Sequence, residues 1–211
     1  MDATDPEENA LYRTADGLHP LHWETLRQRD PTEAARAAGA EIQGGALRLF
    51  VLGRHLRVDP GAERVRFEDE PAREVGYQRA LVAVAYLAGA LEAPPRGEWV
   101  AFRELPGGDA FFRGPHSLAT PRLEKAFGPW PERLVEAARR LGGAWAPGAD
   151  AAADLAALPR IPLRILLWRA TAEFPASATV LTDARAHLHL PLDVLWALTN
   201  VAVADLVRGT G

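Results

Sequence analysis

Three charged side chains flank a glycine turn in Arg103-Glu104-Leu105-Pro106-Gly107-Gly108-Asp109. Glycines let the backbone approach a ligand closely. An arginine can fork onto a carboxylate or phosphate, and Glu104 or Asp109 can act as acceptor. The competing reading is a plain turn in which Pro106-Gly107 sets the geometry and Arg103 pairs with Glu104 or another acid. No Gly-Lys-Ser/Thr follows, so this is not a nucleotide phosphate loop. A second candidate lies at Trp168-Arg169 and Glu173-Phe174-Pro175. An acid just past a strand end can hold a ligand or a catalytic proton. Alternatively, Glu173 pairs with Arg164 or Arg169 and Trp168 belongs to the core. The candidate binding residues are thus Arg103, Glu104, Asp109, Trp168 and Glu173.

Asp183-Ala184-Arg185-Ala186-His187-Leu188-His189-Leu190 alternates strictly. As a strand it places Asp183, Arg185, His187 and His189 on one face, whereas in a helix the two imidazoles diverge. Two histidines so spaced can share a zinc or iron, with Asp183 assisting. The cation Arg185 between them, and the lack of a sure third ligand, favour instead a half-exposed strand with a polar outer face. Nucleophiles are scarce. Ser117 and Ser177 are the only serines, and neither sits in a Gly-x-Ser-x-Gly elbow. The chain has no cysteine, which removes disulfides, thiolate zinc sites, Cys-ligated iron–sulfur clusters and a Cys nucleophile together. A dinucleotide-binding fingerprint is absent as well. Arg54, His55 and Asp59 form a pattern too common to assign. No catalytic residue and no cofactor emerge from these residues, and nothing in them fixes an oligomeric state.

The elements that must position the candidates read as follows. A helix is expected over Pro20 to Arg29, with Leu21, Trp23 or Leu26 facing inward. Asp30-Pro31-Thr32-Glu33 starts another that Gly39 ends. Gly44-Gly45 is a hairpin turn, Ala46 to Leu52 and His55 to Val58 are strand, and Gly53 is a bulge or bend. Asp59-Pro60-Gly61 turns into Arg64 to Phe67. Arg73 to Leu91 is a helix apolar nearly all round in its second half, so it belongs in the centre. Glu98 to Phe102 is a short strand. Helices follow over Ser117 to Phe127 and Pro131 to Leu141, the second with Trp130 and Leu134 on its apolar side. Ile161 to Trp168 is a buried strand and Pro191 to Val207 a final helix. The expected fold is α+β: a mainly antiparallel sheet from the Ala46–Phe67, Glu98–Phe112 and Ile161–Leu190 regions, with helices packed on it.

At 211 residues, 48% of them hydrophobic, the chain has material for one full core. A flexible acidic lead is expected over residues 1–15 and a single domain over 16–211. The net charge is -4, and Asp2, Asp5, Glu7 and Glu8 account for all of it. The rest carries 24 acidic against 24 basic side chains. A neutral body offers no long-range pull on a polyanion, so neither nucleic acid nor an anionic membrane is an expected partner. Met1 to Asn9 lacks the basic-then-apolar pattern of a secretion signal, and the apolar run Ala80 to Leu91 is too short to span a bilayer. The expected location is the cytoplasm.

Glu98-Trp99-Val100-Ala101-Phe102-Arg103-Glu104-Leu105-Pro106-Gly107-Gly108 is followed by Leu158-Pro159-Arg160-Ile161-Pro162-Leu163-Arg164-Ile165-Leu166-Leu167-Trp168 and Glu173-Phe174-Pro175-Ala176-Ser177-Ala178. Together, over roughly Thr32 to Val207, these resemble an uncharacterised bacterial and archaeal family known only as a domain of unknown function and common in anaerobes. Some members resemble fusions to a Cys-rich iron–sulfur segment of the kind found beside corrinoid proteins. The resemblance implies redox or cofactor company, but a cluster-binding role does not carry over to a chain without cysteine. With no complete catalytic set, the leading expectation is a non-catalytic binding or accessory domain for a small molecule or partner protein in cofactor-linked metabolism. The alternative is a small enzyme using Glu104, Asp109 or Glu173 as acid or base, with Arg103 orienting an anionic substrate. A third is an interaction module marked by a large exposed apolar patch.

Overall fold

The computed structural model describes residues 15–208, so all of the expected acidic lead except Ala15 lies outside the described residues. Two short helices come first, α1 (Pro20–Arg27) and α2 (Pro31–Ala38). The Asp30 carboxylate accepts from the Thr32 and Glu33 backbone N–H groups at 2.9 and 3.0 Å, and Gly39 closes α2 in the left-handed conformation. Of the residues expected to face inward from α1, Trp23 and Leu26 are buried while Leu21 points to solvent.

Four strands follow as an antiparallel meander: β1 (Glu41–Gln43), β2 (Ala46–Val51), β3 (Arg54–Asp59) and β4 (Arg64–Phe67). The β2–β3 turn is Leu52-Gly53, with φ of 47° and 81°. Two positive φ values at the centre of a two-residue hairpin mark a type I′ turn, so Gly53 is neither bulge nor bend. Leucine is strained in that conformation. Two contacts hold it there: the side chain is fully buried, and its N–H donates to the Ala157 carbonyl at 3.0 Å.

The central helix α3 (Tyr77–Gly89) leads to β5 (Trp99–Ala101), the single-turn α4 (Gly108–Phe111), and then α5 (Thr120–Phe127) and α6 (Glu132–Arg140). The second sheet adds β6 (Ala144–Trp145), β7 (Ala151–Leu158), β8 (Ile161–Trp168) and β9 (Ser177–Asp183), in the order β5-β9-β8-β7-β6, antiparallel throughout. Helix α7 (Leu192–Arg208) packs against α3. Along β8, Ile161, Leu163, Ile165 and Leu167 enter the core while Pro162, Arg164, Leu166 and Trp168 face the other way. The fold is therefore α+β, with antiparallel sheets and helices packed on them.

Two expectations change, and one strand has no counterpart in the sequence reading. The strands form two sheets rather than one, because α3 intervenes between β4 and β5 and the Leu52–Ala157 bond joins the sheets at a hairpin tip. Strand β7, Ala-Ala-Ala-Asp-Leu-Ala-Ala-Leu, carries little strand propensity of its own, and pairing with β8 decides it. The alternating run Asp183–Leu190 is not a strand: β9 ends at Asp183, and Ala186–Leu188 is a 3-10 turn.

Candidate functional site

The glycine turn is built by its own residues. Gly107 has φ 77°, ψ -6°, and the Gly108 N–H donates to the Leu105 carbonyl at 2.7 Å, which makes Leu105-Pro106-Gly107-Gly108 a type II turn. A Cβ on Gly108 would lie 2.1 Å from the Phe102 carbonyl oxygen, so that position admits only glycine. The Glu104 carboxylate turns back to accept from the Ala101 N–H at 2.6 Å. Asp109 takes both its oxygens to Arg113, at 2.7 and 2.6 Å. The Arg113 guanidinium holds the Asp109 carboxyl below the usual carboxylate range, and Arg103 adds to the effect. Arg103 is exposed beside it.

Trp168 and Glu173 sit elsewhere. Trp168 ends β8 opposite Ser177, and 37% of it is exposed, so it is not core. Glu173 is on the exposed connection to β9, where Thr171 Oγ1 accepts from the Glu173 and Phe174 N–H groups. Arg164, one expected partner of Glu173, instead grips Asp154 with two bonds of 2.6 and 2.7 Å and stacks over Trp99. The Leu158-Pro159-Arg160-Ile161 motif is a strap. The Arg160 guanidinium donates to the carbonyls of Ala37 and Arg36, and the Arg160 backbone N–H donates to the Tyr86 hydroxyl, which in turn donates to the Ala38 carbonyl. The turn between β7 and β8 thereby caps the C-terminus of α2.

Asp183 is buried and accepts the N–H groups of Arg96, Gly97 and Arg185 at 3.0, 2.7 and 2.9 Å. Burial alone pushes its pKa up, but these donors together outweigh it and hold the carboxyl below its ordinary range. The bond to Arg185, two residues on, turns the chain out of the sheet and breaks the predicted alternation. His189 is 1% exposed, and its Nδ1 accepts from the Leu91 N–H at 3.3 Å. Burial pushes its imidazole below the ordinary range, and Arg160 adds to that. Among the described residues, no hydrogen-bond partner is found for the buried nitrogens His187 Nδ1 and His189 Nε2. Among the described residues, no three His, Cys, Asp or Glu side chains gather as metal ligands. Asp183 serves the backbone instead.

A cleft of about 580 Å³ opens between the β2–β3 tip, β4, the start of α3 and the ends of α6 and α7. Five arginines line it: Arg54, Arg73, Arg79, Arg140 and Arg208. Arg79 and Asp205 form a buried pair at its floor, and Arg208 also reaches Asp205 at 3.3 Å. Arg54 and Arg73 lie 4.1 and 5.2 Å from the Phe67 ring centroid, with Arg79 at 5.6 Å. At the rim, Arg54 pairs with Asp69 and Glu70, and Arg73 with Glu70. A smaller hollow of about 380 Å³, edged by Leu26, Ile42, Leu47 and Pro60, lies between α1–α2 and the first sheet. None of Arg103, Glu104, Asp109, Trp168 or Glu173 lines either one.

The cleft arginines escape a reading of the sequence because each comes from a different element. One signal was there to be read. Arg79 is the only charge within the α3 stretch, and Asp205 interrupts the long apolar run of α7. Opposite charges on two otherwise apolar helices have to meet or be exposed.

No curated protein and no solved structure matches this chain. A family model does, over residues 30–205, spanning both sheets, the glycine turn and nearly all of the cleft. The chain belongs to the family described as Domain of unknown function (DUF3786).

Proposed function

We propose that this chain is a non-catalytic binding or accessory domain that holds a small molecule in the cleft between the β2–β3 tip and helices α3, α6 and α7. The observation that carries the reading is the convergence of five arginines on one cavity of about 580 Å³, within the size range of small-molecule sites. Its lining is mixed, with half-buried Tyr77 and Leu141 beside the charges, as in such sites. The setting we propose, cofactor-linked metabolism, is what a resemblance to members joined to iron–sulfur segments implies. A chain without cysteine would meet that chemistry on a partner protein.

The enzymatic alternative finds less support. Glu104 and Asp109 are spent on their own turn and helix, and neither they nor Glu173 reach the cleft. Native mass spectrometry of protein purified gently from its own organism tests the reading. The expected result is a stoichiometric small-molecule mass, released on denaturation and lost in a Glu74→Trp/Arg140→Trp variant that narrows the cleft at exposed positions. A retained mass indifferent to that variant moves the site elsewhere, and turnover by the purified chain overturns the non-catalytic reading.

A further inference from the structure

We infer that the cleft takes an organic phosphate, its phosphoryl group held by Arg54, Arg73 and Arg140 and its organic body laid against the half-buried Tyr77 and Leu141. The inference rests on the cleft being the ligand site, and it names the ligand's class.

Charge comes first. Five guanidinium groups face two carboxylates, Glu74 and Asp205, in the cleft wall. At the rim, Asp69 and Glu70 pair with Arg54 and Arg73. Of the three guanidinium groups around the Phe67 ring, Arg79 is matched by Asp205 inside the fold, while Arg54 and Arg73 are matched by exposed acids that an incoming anion can replace. Phe67, itself buried, holds the nearest of these groups in place by a cation–π contact, so less side-chain freedom is lost on binding.

The arrangement then selects among anions. Arg54 comes from the start of β3, Arg73 from the β4–α3 connection, and Arg140 from the end of α6. A carboxylate presents two oxygens in one plane and suits a single guanidinium fork. A tetrahedral phosphate presents oxygens in several directions and accepts from arginines that approach from different elements. The first turn of α3 adds to the same wall. Its N-cap is Gly76, which has no side chain to cap with, and no acid sits in that turn.

The existing ion pairs divide the arginines into two groups. Arg79 and Asp205 have side chains only 8% and 13% exposed, so that pair belongs to the fold. Asp69 and Glu70 are 60% and 52% exposed. Such surface pairs contribute little, and a phosphate carrying close to two charges displaces them readily. The cavity is several times larger than one phosphate needs, which leaves room for the organic body beside Tyr77 and Leu141.

The test is calorimetric titration of the full chain with inorganic pyrophosphate, with tricarballylate as a carboxylate of similar charge and sodium chloride as the control, all at constant ionic strength. Pyrophosphate is expected to bind and tricarballylate to bind far more weakly. Arg73→Gln with Arg140→Gln should weaken pyrophosphate by about tenfold or more. Glu70→Gln should tighten it severalfold by removing the acid that Arg54 and Arg73 share. All three positions are exposed, so the variants should keep the wild-type circular dichroism spectrum. Absence of binding above the chloride control, equal binding of the tricarboxylate, or an unchanged affinity in the double-arginine variant each overturns the inference. If protein from its own organism retains an uncharged or cationic molecule in the cleft, the phosphate class falls while the binding-domain reading stands. If nothing is retained and no probe binds, both fall.

Discussion

Gly53→Ala should destabilise the protein by about 2–5 kcal/mol, and the structure separates that figure into two parts. The first is conformational. Gly53 has φ 81°, where an L-residue costs about 1–2 kcal/mol relative to glycine. The second is steric. A Cβ there would lie 2.8 Å from the Cα, carbonyl carbon and oxygen of Leu141, backbone atoms at the end of α6 that cannot rotate away. Forcing a methyl into filled space of this kind costs about 1–3 kcal/mol. Gly45 supplies the control. It occupies the same position of the two-residue β1–β2 turn, with φ 78°, and a methyl group there would meet nothing within 4 Å. Gly45→Ala therefore carries the conformational part alone. Urea unfolding of both variants gives the difference directly if the m-values agree. For a domain of this size each kcal/mol lowers Tm by about 2–4 °C, so a heat scan reads it too. Two variants within about 0.5 kcal/mol of each other would show that the hairpin tip does not press on α6 as described.

Two further predictions concern buried charge. Asp205→Leu takes the carboxylate from buried Arg79, which keeps the Val51 carbonyl at 3.5 Å, and should cost about 3–5 kcal/mol. Arg79→Met should cost less, since Asp205 keeps Arg208. An Arg79→Met/Asp205→Leu double variant should recover most of the loss in urea melts; a loss equal to the sum of the singles overturns the assignment. The His189 imidazole, faced by Arg160, Asp183 and His187, is held below its ordinary value by burial first and Arg160 second. An unfolded histidine titrates near ~6.5, so as pH falls through that value the unfolded chain takes up the proton first. The stability tied to neutral His189 is complete above that pH and drains away as pH falls toward the lower folded value. His189→Gln should flatten the pH dependence of stability in that window, as read by denaturation at a series of pH values, and an unaltered slope would refute it.

What the sequence determined by itself was local. The α1, α2, α5, α6 and α7 segments, the first meander and β8 follow from caps, turn residues and apolar periodicity, all of which act over a few neighbours. The same logic identified the proline–glycine turn at Leu105–Gly108 as a turn, and the structure adds that Gly108 is required by the Phe102 carbonyl. Tertiary structure decided everything that depends on residues far apart in the chain. β7 is strand because β8 lies beside it, and Asp183 ends β9 because the N–H groups of Arg96 and Gly97, 87 and 86 residues earlier, converge on its carboxylate. The arginine cleft is the extreme case, with Arg54 and Arg208 brought to one wall from opposite ends of the fold. Charge convergence of this kind has no spacing rule in sequence, because packing of α3 against α7 and of the hairpin tip against α6 creates it.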